Sequence, residues 1–334
     1  MTTYSYPLTA IDPTAGRKSA RLHAPSGPSA SRLPQFRALV LLSGTVRAKG
    51  WLSDIGRSPL DLPIDSQHSV LAQWFDQAAK LATVPGIRRL AMDVLVDRSG
   101  PMPRSEAMLA ALPGTGLAEM RVERDPADYR GTGGVLRDLA LRYDDDDFLL
   151  VATGAQVLVR PLEDLVVDLA GLASDVGIIR HADKTPAGLV WVRCGCLRNI
   201  PDVGFVDLKE QALPQIGRRH RVDVVTLPPV GAPLRTPAEY LRAVREYHVG
   251  LQNSERRADP FVEDWYPAFS VVEDGAHVDP TAGIHESVVL KGGRVGRGAV
   301  VVRSVIGPAG VVRPGVNVVQ RLVMGRGEAG TETC

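Results

Sequence analysis

Cysteine, aromatic residues and a surplus of either charge are all scarce in this sequence of 334 residues. It contains 3 cysteines, 5% aromatic residues, and 39 basic against 38 acidic side chains, for a net charge of +1. So few cysteines cannot stabilise a chain of this length through disulfide bonds, and they fit a reducing, cytoplasmic compartment. The balanced charge argues against a general nucleic-acid binder, which normally carries a basic surplus.

Long apolar runs are absent as well. No stretch approaches the about 20 apolar residues that cross a membrane, and the N-terminus has no apolar segment of a secretory signal. We therefore expect no membrane partner. The sequence Cys194-Gly195-Cys196 lacks the two-residue spacer and the second cysteine pair of a zinc ribbon. Buried cysteines in a strand are favoured there over a metal site.

What the sequence does contain is 44% hydrophobic residues, 33 glycines and 25 prolines. The apolar content is sufficient for a sizeable core, and the length predicts about two domains. Residues 1–35 are rich in proline, serine and arginine without periodicity, which predicts a disordered tail. The next part alternates apolar strands with amphipathic helices, and this alternation predicts a mostly parallel, doubly wound sheet that binds ligands at the carboxyl ends of its strands. The expected strands are 38–42, 89–96, 148–152, 176–180 and 187–193, and the expected helices are 69–82, 133–142, 161–173 and 236–248.

From about residue 268 the pattern changes, because apolar residues recur every six positions with two steps of five. Small residues and turn formers fill the intervals, which predicts a β-helix with a buried column of aliphatic side chains. A β-sandwich, the alternative, would alternate every two residues. The column residues are Val272, Val278, Ile284, Leu290, Val295, Val301, Ile306, Val312 and Val318.

Four segments resemble motifs of one enzyme family. Gly131-Thr132-Gly133-Gly134 resembles a G-T-A-G turn, and Asp146 to Val151 is similar to the strand that leads to an N-G-D motif. Val206 to Pro214 is similar to D-x-x-x-D-x-L-P, and Thr236 to Leu241 matches T-P-E-D-Y-L. Between residues 37 and 323 the chain thus resembles the sugar-nucleotide pyrophosphorylases, in particular the mannose-1-phosphate guanylyltransferase and glucose-1-phosphate nucleotidyltransferase group.

The resemblance implies an α/β fold with a Rossmann-like, doubly wound mixed sheet of the nucleotidyltransferase GT-A type, followed by a short left-handed β-helix of hexapeptide repeats. The implied boundaries are a nucleotidyltransferase-like domain at 36–255, a linker at 256–267, the β-helix at 268–323 and a disordered tail at 324–334. The implied partners are a nucleotide-sugar or sugar phosphate, and either further copies of the chain or an active nucleotidyltransferase. Mg²⁺ is the cofactor if the protein is active.

The chain departs from the family where triphosphate is bound. Family members continue the first strand with G-G-x-G-T-R-x-x-P-L-T-x-x-x-P-K-P, whereas this chain has Ser43 to Trp51 there. Gly44 alone of the glycines is kept, Lys49 replaces the arginine and Pro59 stands at the lysine position. Arg47 and Arg57 are available to compensate part of the lost charge.

Both family positions for metal-linked aspartates also differ. Ala155 replaces the aspartate of N-G-D, and Pro233 replaces the aspartate of W-x-D-I-G. Magnesium takes oxygen ligands, and nucleotidyl transfer depends on its charge. Asp164 and Asp168 follow on the next helix, while the acidic run 144–147 precedes its strand and is expected to be a solvated loop.

These observations predict a pyrophosphorylase-like protein with weak or lost catalysis that binds a sugar nucleotide or regulates an active relative. No catalytic residue and no metal ligand is assigned. An active nucleotidyltransferase is the first alternative, and a β-helix acyltransferase that uses His277 or His285 as its base is the second. The candidate ligand-binding residues are Gly44, Arg47, Lys49, Arg57, Gly131, Thr132, Gly133, Gly134, Thr153 and Gly154.

Overall fold

A computed structural model of the chain describes residues 33–43, 50–125, 130–258 and 269–325. Nearly all of the expected N-terminal tail, most of the expected linker and C-terminal tail, and the segment 44–49 lie outside these residues. The predictions for Gly44, Arg47 and Lys49 therefore stay predictions. None of the helices in the described ranges combines the length and the apolar character needed to cross a membrane.

A seven-stranded mixed sheet organises the first part of the chain, with strand order β3-β2-β1-β4-β7-β6-β8. Strand β7 runs antiparallel to β4 and β6, whereas the other neighbours are parallel. Two further strands, β5 and β9, form an antiparallel ribbon. The strands are β1 Phe36–Ser43, β2 Ala91–Val96, β3 Glu119–Arg124, β4 Phe148–Thr153, β5 Gln156–Leu158, β6 Val176–Arg180, β7 Pro186–Arg193, β8 Val222–Thr226 and β9 Gly231–Pro233.

Helices accompany this sheet. The four predicted helices begin within two residues of their predicted starts, and the last of them, α8, continues to Ala258 instead of ending at 248. The prediction of a strand around Cys194 and Cys196 is wrong, because both cysteines lie in a short buried helix that follows β7. A π-helical turn at Leu208–Ala212 leads into the seventh helix. The helices are α1 Trp51–Asp54, α2 Val70–Ala82, α3 Glu106–Ala111, α4 Gly131–Ala140, α5 Leu162–Ala170, α6 Cys194–Leu197, α7 Leu213–Ile216 and α8 Pro237–Ala258.

The sheet is buried on both faces, which explains the continuously apolar sequence of β1. Leu39 and Leu41 face a core that α2 and α5 cover. Ala38 and Val40 face a second core that α4 and α6 cover. Because alternate residues of a strand point to opposite faces, a strand buried on both sides is apolar at consecutive positions, as β1 is from 38 to 42. The doubly wound arrangement predicted from the sequence is therefore present.

The last part of the described chain consists of short strands that form three parallel sheets, with orders β10-β13-β16-β19, β11-β14-β17 and β12-β15-β18. Successive strands along the chain belong to different sheets. Val288 pairs with Val305, and the equivalent residues of successive coils are 17 positions apart. The strands are β10 Ser270–Val272, β11 His277–Val278, β12 Gly283–His285, β13 Ser287–Val289, β14 Arg294–Val295, β15 Val300–Val302, β16 Val305–Ile306, β17 Val311–Val312, β18 Asn317–Val319 and β19 Leu322–Val323.

The interior of these coils holds most of the predicted aliphatic column, with two corrections. Val289 rather than Leu290 faces the interior, and Leu290 packs in the core of the α/β part. Val272 is 38% exposed, and it lies on β10, the first strand of this region that the structure describes. The other predicted column residues lie in or against the interior cluster.

The coils pack directly against the α/β part. Val271, Val288, Val305 and Leu322 lie one above the other on the first coil sheet and share a core with Tyr240 of α8. An ion pair of 2.7 Å between Arg57 and Glu273 adds to this junction. The two parts are therefore joined by a common hydrophobic core and not only through the connecting chain.

Candidate functional site

The carboxyl ends of β1, β2 and β4 meet at one edge of the sheet. The amide of Gly154 donates to the carbonyl of Leu42 at 2.9 Å, and the amide of Asp97 donates to that of Ser43 at 3.0 Å. Thr153 ends β4 with an exposed side chain, whereas Gly154 is buried. Candidate ligand-binding residues Thr153 and Gly154 therefore lie beside the strand end from which 44–49 continues.

The two positions matched to metal-linked aspartates lie next to each other at this edge. Gln156 pairs with Pro233 in the β5–β9 ribbon, and the amide of Leu234 donates to the carbonyl of Ala155 at 3.2 Å. The distant motifs at 155 and 233 thus meet in space. Mg²⁺ does not fit them, because neither side chain carries an oxygen and the carbonyl of Ala155 already accepts a hydrogen bond.

The β5–β9 ribbon is held firmly against α2. The indole of Trp74 donates to the carbonyl of Gln156 at 3.0 Å, and the side chain of Gln73 donates to and accepts from the backbone of Leu158 at 2.8 Å. Gly231 faces Gln156 so closely that a β-carbon would lie 2.6 Å from Oε1. A larger residue at 231 would therefore displace the side chain of Gln156.

Gln156 is a residue of this site that sequence reasoning missed. Its side chain is 4% exposed, and its Nε2 atom has no hydrogen-bond partner among the described residues. A buried donor without a partner is costly, and such groups are enriched at functional sites. Gln156 lies three residues beyond Thr153 and next to the unmatched position 155. No motif signalled it, because a single glutamine in an apolar strand has no distinctive spacing.

The glycine-rich turn 131–134 begins α4 and is fully engaged by the protein itself. Gly131 has φ +65, and a β-carbon on it would lie 2.5 Å from the carbonyl oxygen of Val206. The amide of Gly133 donates to the same oxygen at 2.9 Å, and the hydroxyl of Thr132 accepts from the amide of Leu208 at 3.1 Å. Close packing on the segment 206–208 is therefore sufficient to explain these residues, and ligand contact by Gly131, Thr132, Gly133 and Gly134 stays a prediction.

Arg130, which sequence reasoning also missed, fixes a loop beside this turn. Its buried guanidinium contacts both carboxylate oxygens of Asp138 at 3.0 Å and donates to the carbonyl of Gly204 at 3.3 Å. Burial raises the pKa of Asp138, but hydrogen bonds from Arg130 and Arg137 more than offset this and hold it below its ordinary value. The loop leaves Phe205 60% exposed next to Gly131.

Arg57 lies at the junction with the coils and not at the open edge of the sheet. Its Nη1 atom donates to both carboxylate oxygens of Glu273, at 2.7 and 2.9 Å. Arg104 donates to Glu273 at 3.2 Å, and so does the amide of Lys291 at 2.8 Å. Burial raises the pKa of Glu273, but these donors hold it below its ordinary value. The charge of Arg57 is thus paired inside the protein.

The other acidic candidates are also engaged in ion pairs. Asp147 accepts from Arg37 at 3.0 Å, and Asp146 from Arg193 at 3.2 Å, both where β4 begins and therefore at the opposite edge of the sheet. Arg160 contacts Asp168 at 2.9 Å and Asp164 at 3.8 Å. The acidic run at 144–147 therefore lies away from the carboxyl ends of the strands, as the sequence predicted. The prediction that the whole run is solvated is wrong for Asp147, which is buried because its carboxylate accepts from Arg37 and from the amide of Asp144.

The two histidines considered for acyl transfer lie on different sheets of the coil region. His277 lies on β11 and His285 on β12, and both are exposed. His277 lines a wide open groove of about 610 Å³ together with Arg294 and Val311. No carboxylate among the described residues bonds either ring in a way that would activate it as a base.

No family model matches this sequence, and no curated protein is similar to it. Among solved structures, the chain is similar to HddC from Yersinia pseudotuberculosis, with 11% identity and a TM-score of 0.47. A structure of HddC complexed with GMP-PN gives 11% identity and a TM-score of 0.45. In both cases the match covers 64% of this chain and 100% of the HddC chain.

Proposed function

We propose that this chain is a sugar-nucleotide-binding protein of the sugar nucleotidyltransferase type, with weak or lost nucleotidyl transfer and a regulatory role. The observation that supports the proposal is the meeting of Ala155 and Pro233 at the carboxyl edge of β4 and β1. The family resemblance assigns catalytic metal ligands to those two positions. Their proximity supports the alignment of this chain with the family motifs, while their side chains lack the oxygen ligands that Mg²⁺ requires.

Binding of the diphosphate is assigned to the segment that follows β1. Arg47 and Lys49 supply positive charge there, and Gly44 allows close approach of the backbone to phosphate oxygens. Thr153 offers a hydroxyl at the end of β4, and Gln156 offers a buried amide donor just beyond it. Arg57, although a candidate by sequence, is paired with Glu273 and is assigned to the junction instead.

Catalysis requires more than binding. Nucleotidyl transfer places a sugar phosphate in line with the α-phosphate and expels pyrophosphate, and metal charge is needed in the transition state more than in the ground state. The described residues at 155 and 233 offer Mg²⁺ no side-chain ligand. We therefore expect ground-state binding to persist while turnover is lost.

The proposal includes the finer architecture implied by the resemblance. The coils at 268–323 are assigned to a left-handed β-helix, joined through the linker 256–267 to the nucleotidyltransferase-like domain at 36–255. Exposed valines on the outer faces of the coils (Val311 is 57% exposed) suit assembly with a second copy or with an active nucleotidyltransferase. A cytoplasmic location agrees with the unpaired, buried Cys194 and Cys196.

A pyrophosphate-release assay tests the loss of catalysis. Pure protein is incubated with Mg²⁺, each nucleoside triphosphate, and mannose- or glucose-1-phosphate, beside an active pyrophosphorylase as positive control. We expect no release above the protein-free blank. Robust release would establish the active nucleotidyltransferase instead and overturn the proposal.

A thermal-shift screen with sugar nucleotides tests the retained binding. A ligand at about 100 times its dissociation constant stabilises the folded protein by about 2.7 kcal/mol, so at least one sugar nucleotide should raise the melting temperature clearly. If none does, ligand binding is lost too and only a structural or partner role is left.

The acyltransferase alternative has its own test. His277→Ala and His285→Ala should abolish acyl transfer from an acyl-CoA if either histidine is the base. We expect no acyl transfer from the wild-type protein, because no residue in the described part of the chain activates either ring.

A further inference from the structure

Three side chains of metal-binding type meet at the edge of the sheet opposite the candidate nucleotide site. Asp175 immediately precedes β6, Cys196 follows β7 in α6, and His220 lies shortly before β8. A carboxylate oxygen, the thiol sulfur and a ring nitrogen all lie within 4.8 Å of one another. The described residues hold no second group of three such side chains at this spacing.

We propose that Asp175, Cys196 and His220 bind a zinc ion. Zinc takes sulfur, imidazole nitrogen and carboxylate oxygen in a tetrahedral arrangement whose ligand atoms are about 3.5 Å apart. The distance between Oδ2 of Asp175 and Nδ1 of His220 is 3.8 Å, so only small movements are needed. A thiolate and a carboxylate together neutralise the charge of Zn²⁺, and a water molecule completes the coordination.

Neighbouring groups already orient two of the ligands. Arg193 contacts Oδ1 of Asp175 at 3.1 Å, and the amide of Arg221 donates to Oδ2 at 3.1 Å. Oδ2 keeps a lone pair for a metal. Nδ2 of Asn199 lies 3.2 Å from Nε2 of His220 and can only donate, so in the metal-free protein Nε2 accepts and Nδ1 carries the ring proton towards Asp175. Zinc at Nδ1 therefore requires the other ring tautomer, in which Nε2–H donates to the side-chain oxygen of Asn199 after the amide turns over. Outer contacts of this kind hold metal ligands in orientation.

A route from solvent to the group also exists. His220 and Asn199 line a cavity of about 210 Å³ together with Gln215, Arg218 and Arg219. Cys196 is fully buried behind it, while the side chains of His220 and Asp175 are 19% and 24% exposed. Of the three side chains, His220 lines this cavity, so a metal ion approaching from the cavity meets the imidazole first.

A reactive cysteine is a poor alternative explanation of this group. Cys196 is fully buried, whereas a reactive cysteine must be accessible to its substrate. Zinc held by the three side chains would connect the chain ends next to β6, β7 and β8, which form the edge of the sheet far from Thr153. The proposal is independent of sugar-nucleotide binding.

Cobalt titration of the metal-free full-length chain tests the proposal. Co²⁺ replaces zinc in such sites and shows a thiolate-to-metal charge-transfer band. We expect one equivalent to bind with this band, Cys196→Ser to abolish it, and Cys194→Ser to retain it. Cys194 is the matched control because it is buried in the same short helix but lies outside the group. Cys334→Ser, which lies outside the described residues, should also retain it.

A second variant covers the possibility that Cys196→Ser does not fold. His220→Gln changes a partly exposed side chain and should weaken cobalt binding at least tenfold. Zinc at about 100 times its dissociation constant should raise the melting temperature of the wild type by roughly 4 °C and that of His220→Gln much less. Absence of a stoichiometric cobalt–thiolate band in the wild type, or a band that Cys196→Ser and His220→Gln leave unchanged, would overturn the zinc site.

Discussion

Glu273→Gln is expected to weaken the junction between the α/β part and the coils. The Glu273 side chain is 11% exposed and that of its partner Arg57 is 16% exposed. Glutamine keeps the size of the side chain but removes its charge. Arg57 then remains buried with one neutral acceptor where it had two charged oxygens.

The magnitude follows from this geometry. Breaking one side of a buried ion pair costs about 3–5 kcal/mol, because the remaining charge is left uncompensated. Partial exposure and the retained amide oxygen reduce this cost, so we expect about 2 kcal/mol at pH 7. The effect should shrink in acid. Since the folded-state pKa of Glu273 lies below its ordinary value of 4.5, its contribution is present above that pH and is lost as pH falls through the lower folded value.

Urea unfolding at pH 7 measures this effect, with Asp274→Asn as the matched control. Asp274 is the exposed neighbour, and its variant removes the same charge, so it should change the free energy of unfolding by less than about 0.5 kcal/mol. Equal effects of the two variants, or a Glu273→Gln effect that does not decline in acid, would refute the assignment of Arg57 to the junction.

Three further predictions test the glycine turn, the clamped loop and the phosphate segment. Gly131→Ala should lower the free energy of unfolding in urea by about 2 kcal/mol or more, because φ at this position is +65 and the new methyl group would meet the carbonyl of Val206. Gly250→Ala is the control, since Gly250 lies in open space on α8. This variant should be neutral or stabilising by up to about 1 kcal/mol. Arg130→Met should increase amide hydrogen exchange at 202–205 without altering exchange in β1. Unchanged exchange at 202–205 would contradict the role of Arg130 in holding this loop. Arg47→Ala and Lys49→Ala should each weaken sugar-nucleotide binding about tenfold, as expected for loss of a charged phosphate contact. The melting temperature of the ligand-free protein, measured by calorimetry, should not change. A lower melting temperature with unchanged binding would indicate that these residues stabilise the fold and do not contact phosphate.

The sequence predicted the buried elements well and the half-exposed ones poorly. Strand β1 is predictable because the residues on both of its faces are apolar. Strand β3 was not predicted, because Glu119–Arg124 is half-exposed and mostly charged. It lacks the apolar pattern from which strands are usually recognised. The ribbon strands β5 and β9 were missed because each has 3 residues, too few for a periodicity.

Contacts between side chains that are far apart in the sequence were the least predictable. The six-residue repeat predicted coils, but which of Val289 and Leu290 faces inward depends on where the α/β part packs. Arg57 was assigned to phosphate binding from its place in the chain, whereas its partner Glu273 is 216 residues away. Positions 155 and 233 were matched by motif alone, and only the pairing of β5 with β9 brings them together. Gln156, Arg130 and the group around Cys196 carry no motif at all.

Isothermal titration of a sugar nucleotide into the full-length protein, with Mg²⁺ and again with a chelator, tests the central claim most directly. GDP-mannose and the glucose conjugates of UDP, ADP and dTDP form a suitable panel. Because positions 155 and 233 offer no metal ligand, we predict that at least one binds at this edge with an affinity that Mg²⁺ changes by less than about threefold, below 0.7 kcal/mol. Binding that requires Mg²⁺, or no binding by any member of the panel, would contradict the account.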